Sequence, residues 1–286
     1  MKTSRCHLTQ IFFVLFLFLL FPGFVQAETT NCTPITSVPI TITGNGIYCL
    51  TGNLETAITS GNAITINGSN VIIDLNGHKL GGGGAGPGTG AVGIYANQRK
   101  NITIRNGTIR GFYYGIYIDD STPYTTSQGH VIEDIRADMN TYIGMDVYGR
   151  GNIIRNNQVV DTGGSTSINF ANGIVAVGPG NRVLNNDVYE TKEKASGDAI
   201  GIGINTGAGS VVMHNRIGNK AFGPGNSFGI YIVTSDDVIV KSNTISKMEW
   251  GFLFESSTGL YGDNLTSGCT IPFTGGTAAG STNYSN

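Results

Sequence analysis

Charge is scarce in this chain: Lys and Arg number 17, Asp and Glu 19, together 13% of 286 residues, and no basic run exceeds Arg99-Lys100. A nucleic-acid partner needs a clustered basic excess to displace counterions from phosphates. A formal net charge of -2 supplies none, so nucleic acid is excluded as a partner. Histidine is equally thin. His78, His130 and His214 fall in separate stretches with no pair at metal-ligand spacing, so no metal site is expected from them. Long helical patterns rich in Ala, Leu and charge are missing while Gly reaches 43 residues, which excludes the helical solenoids. Apart from Ile11 to Phe21 there is no long apolar run, and that one is shorter than the roughly 20 residues a membrane span requires.

The ends of the chain follow from that run. Lys2 and Arg5 precede it and Val25-Gln26-Ala27 offers small residues for cleavage, so residues 1–27 read as a signal peptide and the mature chain carries no membrane span. A secreted or periplasmic protein, or one held at the cell surface, is the expectation. Cysteine usage agrees with an oxidising destination. Cys6 leaves with the leader, Cys32 and Cys49 flank Ile40-Thr41-Ile42 and are expected to form a disulfide, and Cys269 is the odd one. Residues 28–62 then form an N-terminal cap. Residues 265–286, rich in Gly, Ser, Thr and Asn, form a C-terminal cap and flexible tail.

What the sequence does contain is a period. Gly93, Gly144, Gly173, Gly201, Gly229 and Gly251 are each followed 13 or 14 residues later by Asn, at 106, 157, 186, 215, 243 and 264. Successive starts, counting Gly115, lie 22 to 29 residues apart, which is solenoid spacing. One residue after each Gly stand Ile94, Ile116, Met145, Ile174, Ile202, Ile230 and Phe252. Three after stand Ala96, Ile118, Val147, Ala176, Ile204, Ile232 and Phe254. Two apolar columns separated by two residues are one face of a short strand. With an earlier unit opening at Ala63, residues 63–264 make about eight coils of strand and turn, all-β, with Asn stacking as a ladder in the turns.

Segments such as Asn101-Ile102-Thr103-Ile104-Arg105-Asn106-Gly107-Thr108-Ile109 and Asn152-Ile153-Ile154-Arg155-Asn156-Asn157-Gln158-Val159 resemble the repeats of the pectate-lyase-like superfamily over roughly Ile64 to Asn264. The resemblance implies a single-stranded right-handed parallel β-helix. It fixes no activity, because that fold carries lyases, hydrolases, epimerases, tailspikes and adhesins.

Function in such a stack belongs to the outward columns. Two residues after the opening Gly the column reads Tyr95, Tyr117, Asp146, Val175, Gly203, Tyr231 and Leu253, with Tyr148 in the next outward column. Aromatic faces stack on sugar C–H surfaces, so Tyr95, Tyr117, Tyr148 and Tyr231 are the candidate polysaccharide-binding residues. If the protein is an enzyme, a polysaccharide lyase or glycoside hydrolase, the site falls at the insertion Asp119 to His130 with Asp119, Asp146 and Arg150 as catalytic candidates. Asp236-Asp237 resembles the paired carboxylates of β-helical polygalacturonases, but the rest of that signature is missing and a capped turn is the better reading. No cofactor is expected; calcium held by Asp119 and Asp120 against Asp146 is the alternative. Arg105, Glu133 and Arg155 read as a neutralising charge ladder. The Gly81 to Gly86 run lacks the following helix of a dinucleotide motif and reads as a flexible surface loop. The reading is thus a polysaccharide-binding solenoid without catalysis, with an enzyme on acidic polysaccharide or a structural, adhesive solenoid as alternatives.

Overall fold

A computed structural model describes residues 31–279 and 283–286; the expected signal peptide lies outside the described residues. Cys32–Asn286 is a stack of parallel strands in which the described residues contain no α-helix. One 10-stranded parallel sheet takes one strand per coil. The other 19 strands form the remaining walls, joined where Ile102–Arg110 and Val131–Asp138 run continuously from one wall into the next.

The two apolar columns line the interior. Ile116 is in register with Ile94 and Met145, Met145 with Ile174, Ile174 with Ile202, and Ile230 with Phe252. Each of these is 0% exposed, as are Ile118, Val147 and Ala176 in the second column. Each coil alone could not bury this row; stacking removes it from water and joins it in one core with inward residues of the other walls such as Ile104, Ile154 and Val183.

The opening glycines have a steric cause. A Cβ on Gly144 would stand 2.6 Å from the carbonyl oxygen of Gly173, and one on Gly173 would stand 2.6 Å from that of Gly201 and 2.5 Å from Val188 Cγ1. The obstacle is the backbone of the next coil, which cannot step aside. Gly173→Ala is therefore expected to cost about 3 kcal/mol. Gly203→Ala, whose Cβ would meet only side-chain carbons at 3.6 to 3.8 Å, is neutral or mildly stabilising. Urea denaturation of the two variants checks the contrast.

The asparagine ladder is fully formed from Asn157 onward. Asn157, Asn186, Asn215 and Asn243 each donate Nδ2–H to the Oδ1 of the next at 3.0 Å, and Asn264 to Asn283 at 3.3 Å. Each amide also donates to a backbone carbonyl, as Asn215 does to Val183 at 2.9 Å. Asn106 is a correction. It is exposed and turns to Asp74 Oδ1 at 3.1 Å: at φ +60° it is itself the residue at the corner of Ile102–Arg110, as Asn156 is in its coil at φ +56°, and Gly107, in register with Ile135, stands where the ladder amide would be.

The strands extend past both expected ends of the helix. Ile40–Ile42 is already the first strand of the 10-stranded sheet, pairing with Asn62–Ile66, and Ile271–Thr274 is its last. Residues 265–279, read from composition as cap and tail, continue the parallel pairing through Leu265–Ser267 and Thr277–Ala278. Backbone pairing to the previous coil stabilises these polar stretches without an apolar pattern of their own. Cys32 and Cys49 form a disulfide with Cα atoms 5.8 Å apart, fastening Thr33–Ile35 to Gly46–Leu50, and Cys269 is a free, half-buried thiol. Arg155 meets Glu133 at 2.6 Å in the charge ladder, while Arg105 turns to Asp74 at 3.0 Å. The glycine run is ordered rather than loose: Gly82 N–H donates to Arg110 O at 2.8 Å, a 3-10 turn follows at Gly83–Ala85, and Thr166 N–H donates to Pro87 O at 3.1 Å.

Candidate functional site

Outward positions of Val92–Asn97, Tyr114–Asp119 and Ile143–Tyr148 bring Tyr95, Tyr117 and Asp146 side by side, as strand register requires. Around them gathers a continuous aromatic surface. Tyr117 lies 5.5 Å from Tyr95, stacks on Tyr114 at 4.8 Å and meets Tyr148 edge-on at 6.0 Å. Tyr114 contacts Tyr142 at 5.3 Å, Tyr142 contacts Tyr113 at 4.8 Å, and Tyr124 from the insertion closes on Tyr148 at 5.7 Å. Seven of the chain's 12 tyrosines thus form one patch, and every one is half-buried, with ring surface left to solvent. So dense a patch on three coils exceeds what strand propensity alone would scatter over the surface.

Asp146 sits beneath this roof, 4% exposed, with Oδ1 buried and without a hydrogen-bond partner among the described residues. Burial first, and the nearby Asp119 carboxylate second, push its carboxyl up to about 8, so it is mainly protonated at neutral pH. Asp119 is half-buried and accepts a hydrogen bond from the Tyr95 hydroxyl at 3.4 Å. Burial also raises the hydroxyls of Tyr114, Tyr117 and Tyr148, with Asp146 and Asp119 adding to it, so the patch presents neutral phenols.

The insertion is held by Asp120, 5% exposed, whose Oδ2 accepts from Thr126 N–H at 3.0 Å and Ser127 N–H at 2.9 Å and whose Oδ1 accepts from Ser121 N–H at 2.9 Å. Its carboxylate is spent on the loop. Ser127 Oγ lies 2.8 Å from His130 Nε2, which suggests a nucleophile and base. The chemistry runs the other way: His130 Nδ1 accepts from Ile102 N–H at 3.2 Å, so the proton is on Nε2 and the imidazole donates to Ser127. Burial lowers His130 to about 4, which keeps it neutral. The pair is structural. Among the described residues no three of His, Cys, Asp and Glu gather closely enough to hold a metal ion.

Of the residues expected to form the site, the structure brings together Tyr95, Tyr117, Tyr148, Asp119 and Asp146. Arg150 stands apart: its Nε donates to Gln128 Oε1 at 2.8 Å, and it lines a separate shallow groove with Gly151, Pro179 and Gly180. Tyr231 stands apart too, four strand spacings from Tyr117, about 19 Å, where it joins Phe228 at 5.1 Å and bonds to Glu255. Tyr113, Tyr114, Tyr142 and Tyr124 went unread in the sequence. A column two residues before the opening glycines, holding Tyr113 and Tyr142, was the available signal for two of them.

A family model described as a right-handed β-helix region matches residues 92–283. Full-length tailspike protein 2 of an Escherichia coli O157:H7 bacteriophage superposes with a TM-score of 0.61 at 16% identity, over 86% of this chain and 34% of the tailspike. The enzymatically active domain of a bacteriophage tailspike protein 2 superposes at 0.59 and 16% identity, over 84% of this chain and 38% of that one. The chain thus spans about a third of the tailspike's length, and at this identity the likeness is one of fold. No curated protein matches the sequence. No helix among the described residues is long and apolar enough to cross a membrane.

Proposed function

The chain belongs to the right-handed β-helix family, and from that premise we propose that it is an exported protein that binds polysaccharide on its tyrosine face without cleaving it. The observation that carries the reading is the continuous patch of seven rings joined from Tyr95 to Tyr124. The solvent-facing parts of these half-buried rings offer flat apolar surface to sugar C–H groups, and their neutral hydroxyls with Asp119 offer donors and acceptors to sugar hydroxyls. The Cys32–Cys49 disulfide agrees with an oxidising destination, secreted, periplasmic or at the cell surface.

Burial argues against cleavage. A general acid must reach the glycosidic oxygen within hydrogen-bond distance, and Asp146 has one oxygen sealed beneath the rings. Each stacked ring is worth roughly 0.5–1.5 kcal/mol. Tyr95→Ala with Tyr117→Ala should therefore weaken retention on the cognate polysaccharide by roughly five- to 150-fold, with the circular dichroism spectrum unchanged. Affinity electrophoresis in polysaccharide-containing gels measures this, and undiminished retardation of the double variant contradicts the reading.

One observation favours an enzyme. A carboxyl raised to about 8 beside the Asp119 carboxylate is the pairing a glycoside hydrolase uses as acid and base. New reducing ends from any polysaccharide, lost in Asp146→Asn, would establish that second reading.

A further inference from the structure

On the far side of the corner that carries Tyr113 and Tyr142 the glycine run roofs a cleft of about 560 Å³, a size typical of small-ligand sites. Its roof is the Gly83–Ala85 turn with Pro87, and its floor is built from corner residues of successive coils, from Gly81 through Gly111 and Thr141 to Gly164. The roof is fastened at both ends and in the middle, by Gly82 to Arg110, Gly90 to Thr59 and Thr166 to Pro87. Gly111 shows how close the walls approach: at φ +77° a Cβ there would stand 2.7 Å from Gly83 N. The cleft is a built feature of the fold, and none of its lining residues belongs to the tyrosine face.

Its chemistry is balanced. Lys79 and Glu55 face one another at 2.5 Å on one wall. Arg110 Nη1 reaches Asp138 at 3.4 Å and Nη2 lies 2.6 Å from Met139 Sδ, which leaves Nε–H and the second hydrogen of each terminal nitrogen for a ligand, and the exposed Asp161 carboxylate lines another wall. Thr141, 8% exposed, lines the cleft with its carbon atoms, its hydroxyl oxygen being buried beneath the surface. Met139 and Pro87 supply apolar surface. Among the lining residues two cations, Lys79 and Arg110, are offset by two carboxylates, Glu55 and Asp161, which favours no net ligand charge, whereas donors, acceptors and an apolar wall together suit a ring whose hydroxyls act as both and whose C–H face is apolar.

We propose that the cleft between the Gly83–Ala85 turn and the Arg110–Thr141 corner is a second binding site, for one neutral sugar unit, with Arg110 and Asp161 contacting its hydroxyls. The site stands independently of the tyrosine face.

Saturation-transfer NMR on the mature chain, with methyl glycosides of glucose, galactose, mannose and rhamnose as probes, tests it. At least one glycoside is expected to bind. Arg110→Ala and Gly83→Trp should each abolish transfer; Gly83 lines the cleft and a Cβ there meets nothing within 4 Å, so the second variant adds bulk at the roof without displacing a neighbour at its first atom. No transfer to any of the four glycosides overturns the proposal, as does transfer that survives both Arg110→Ala and Gly83→Trp. Transfer lost in Tyr95→Ala/Tyr117→Ala but intact in the cleft variants would assign the sugar to the tyrosine face instead. Tighter binding of methyl glucuronoside than of methyl glucoside would overturn the neutral-ligand assignment.

Discussion

Replacing Asp146 by Asn removes a pH dependence of stability that the native chain carries between about pH 4 and pH 8. The folded-state carboxyl is raised from 3.8 to about 8, so the folded protein holds a proton that the unfolded chain has released across that window. Stability from this group is fully present below the unfolded value, where both states are protonated, and is lost as pH rises through the folded value. At 1.36 kcal/mol per unit the loss approaches about 5 kcal/mol, large against the 5–15 kcal/mol that typically holds a domain together. The amide that Asp146→Asn introduces cannot ionise. The thermal midpoint of this variant should exceed that of the native chain by on the order of 10 °C at pH 8 relative to the difference at pH 4. Parallel curves for the two proteins across that range would show that Asp146 is not held protonated beneath the tyrosines.

Asn215→Ala should be comparably damaging at every pH. Asn215 Oδ1 accepts from Asn186 N–H at 2.9 Å and from Asn186 Nδ2–H at 3.0 Å, while its own Nδ2 donates to Val183 O at 2.9 Å and Asn243 Oδ1 at 3.0 Å. The residue is 1% exposed, so no water replaces the lost partners of Asn186 and Val183. Leaving two or three buried groups unpaired costs about 4 kcal/mol. Asn215→Asp retains the acceptor but loses both donated bonds and buries a charge. It should be the worse of the two near pH 7, recovering as the carboxyl protonates in acid. By contrast Asn226, exposed and bonded only to Asp198 at 2.9 Å, should tolerate Ala to within about 0.5 kcal/mol. Equal midpoints in guanidinium chloride for the Asn215 and Asn226 variants would remove the ladder as a stabilising element.

Much of the stack was legible because strand alternation is a local signal. Ile94, Ile116 and Met145 announce an inward column whatever surrounds them, and register then places Tyr95, Tyr117 and Asp146 together outside. The reason for the glycines was not legible, since it lies in the carbonyl of the next coil, more than twenty residues away in sequence. Asn106 misled because its spacing fits while its place is that of the corner itself, at φ +60°; the ladder position falls on Gly107, which admits Leu75, whose Cβ would stand 2.3 Å from an added one. Tyr231 shares a column with Tyr117, but a shared column fixes only direction, and the three intervening coils hold Asp146, Val175 and Gly203 where an aromatic bridge would be needed. Arg150 was placed beside Asp146 by closeness in sequence, whereas the turn after Tyr148 carries it to Gln128. That Asp146 is buried although it points outward could not be read from its strand. The cover comes from side chains on neighbouring coils.

The central claim is that the tyrosine face holds polysaccharide and leaves it intact. Incubating the mature protein with a panel of acidic and neutral polysaccharides, and reading retention, reducing ends and unsaturated-product absorbance on the same samples, addresses it directly. The account predicts retention by at least one polymer, weakened by Tyr95→Ala/Tyr117→Ala, with no new ends and no absorbance. Product from any polymer, or retention that the double variant leaves unchanged, contradicts it.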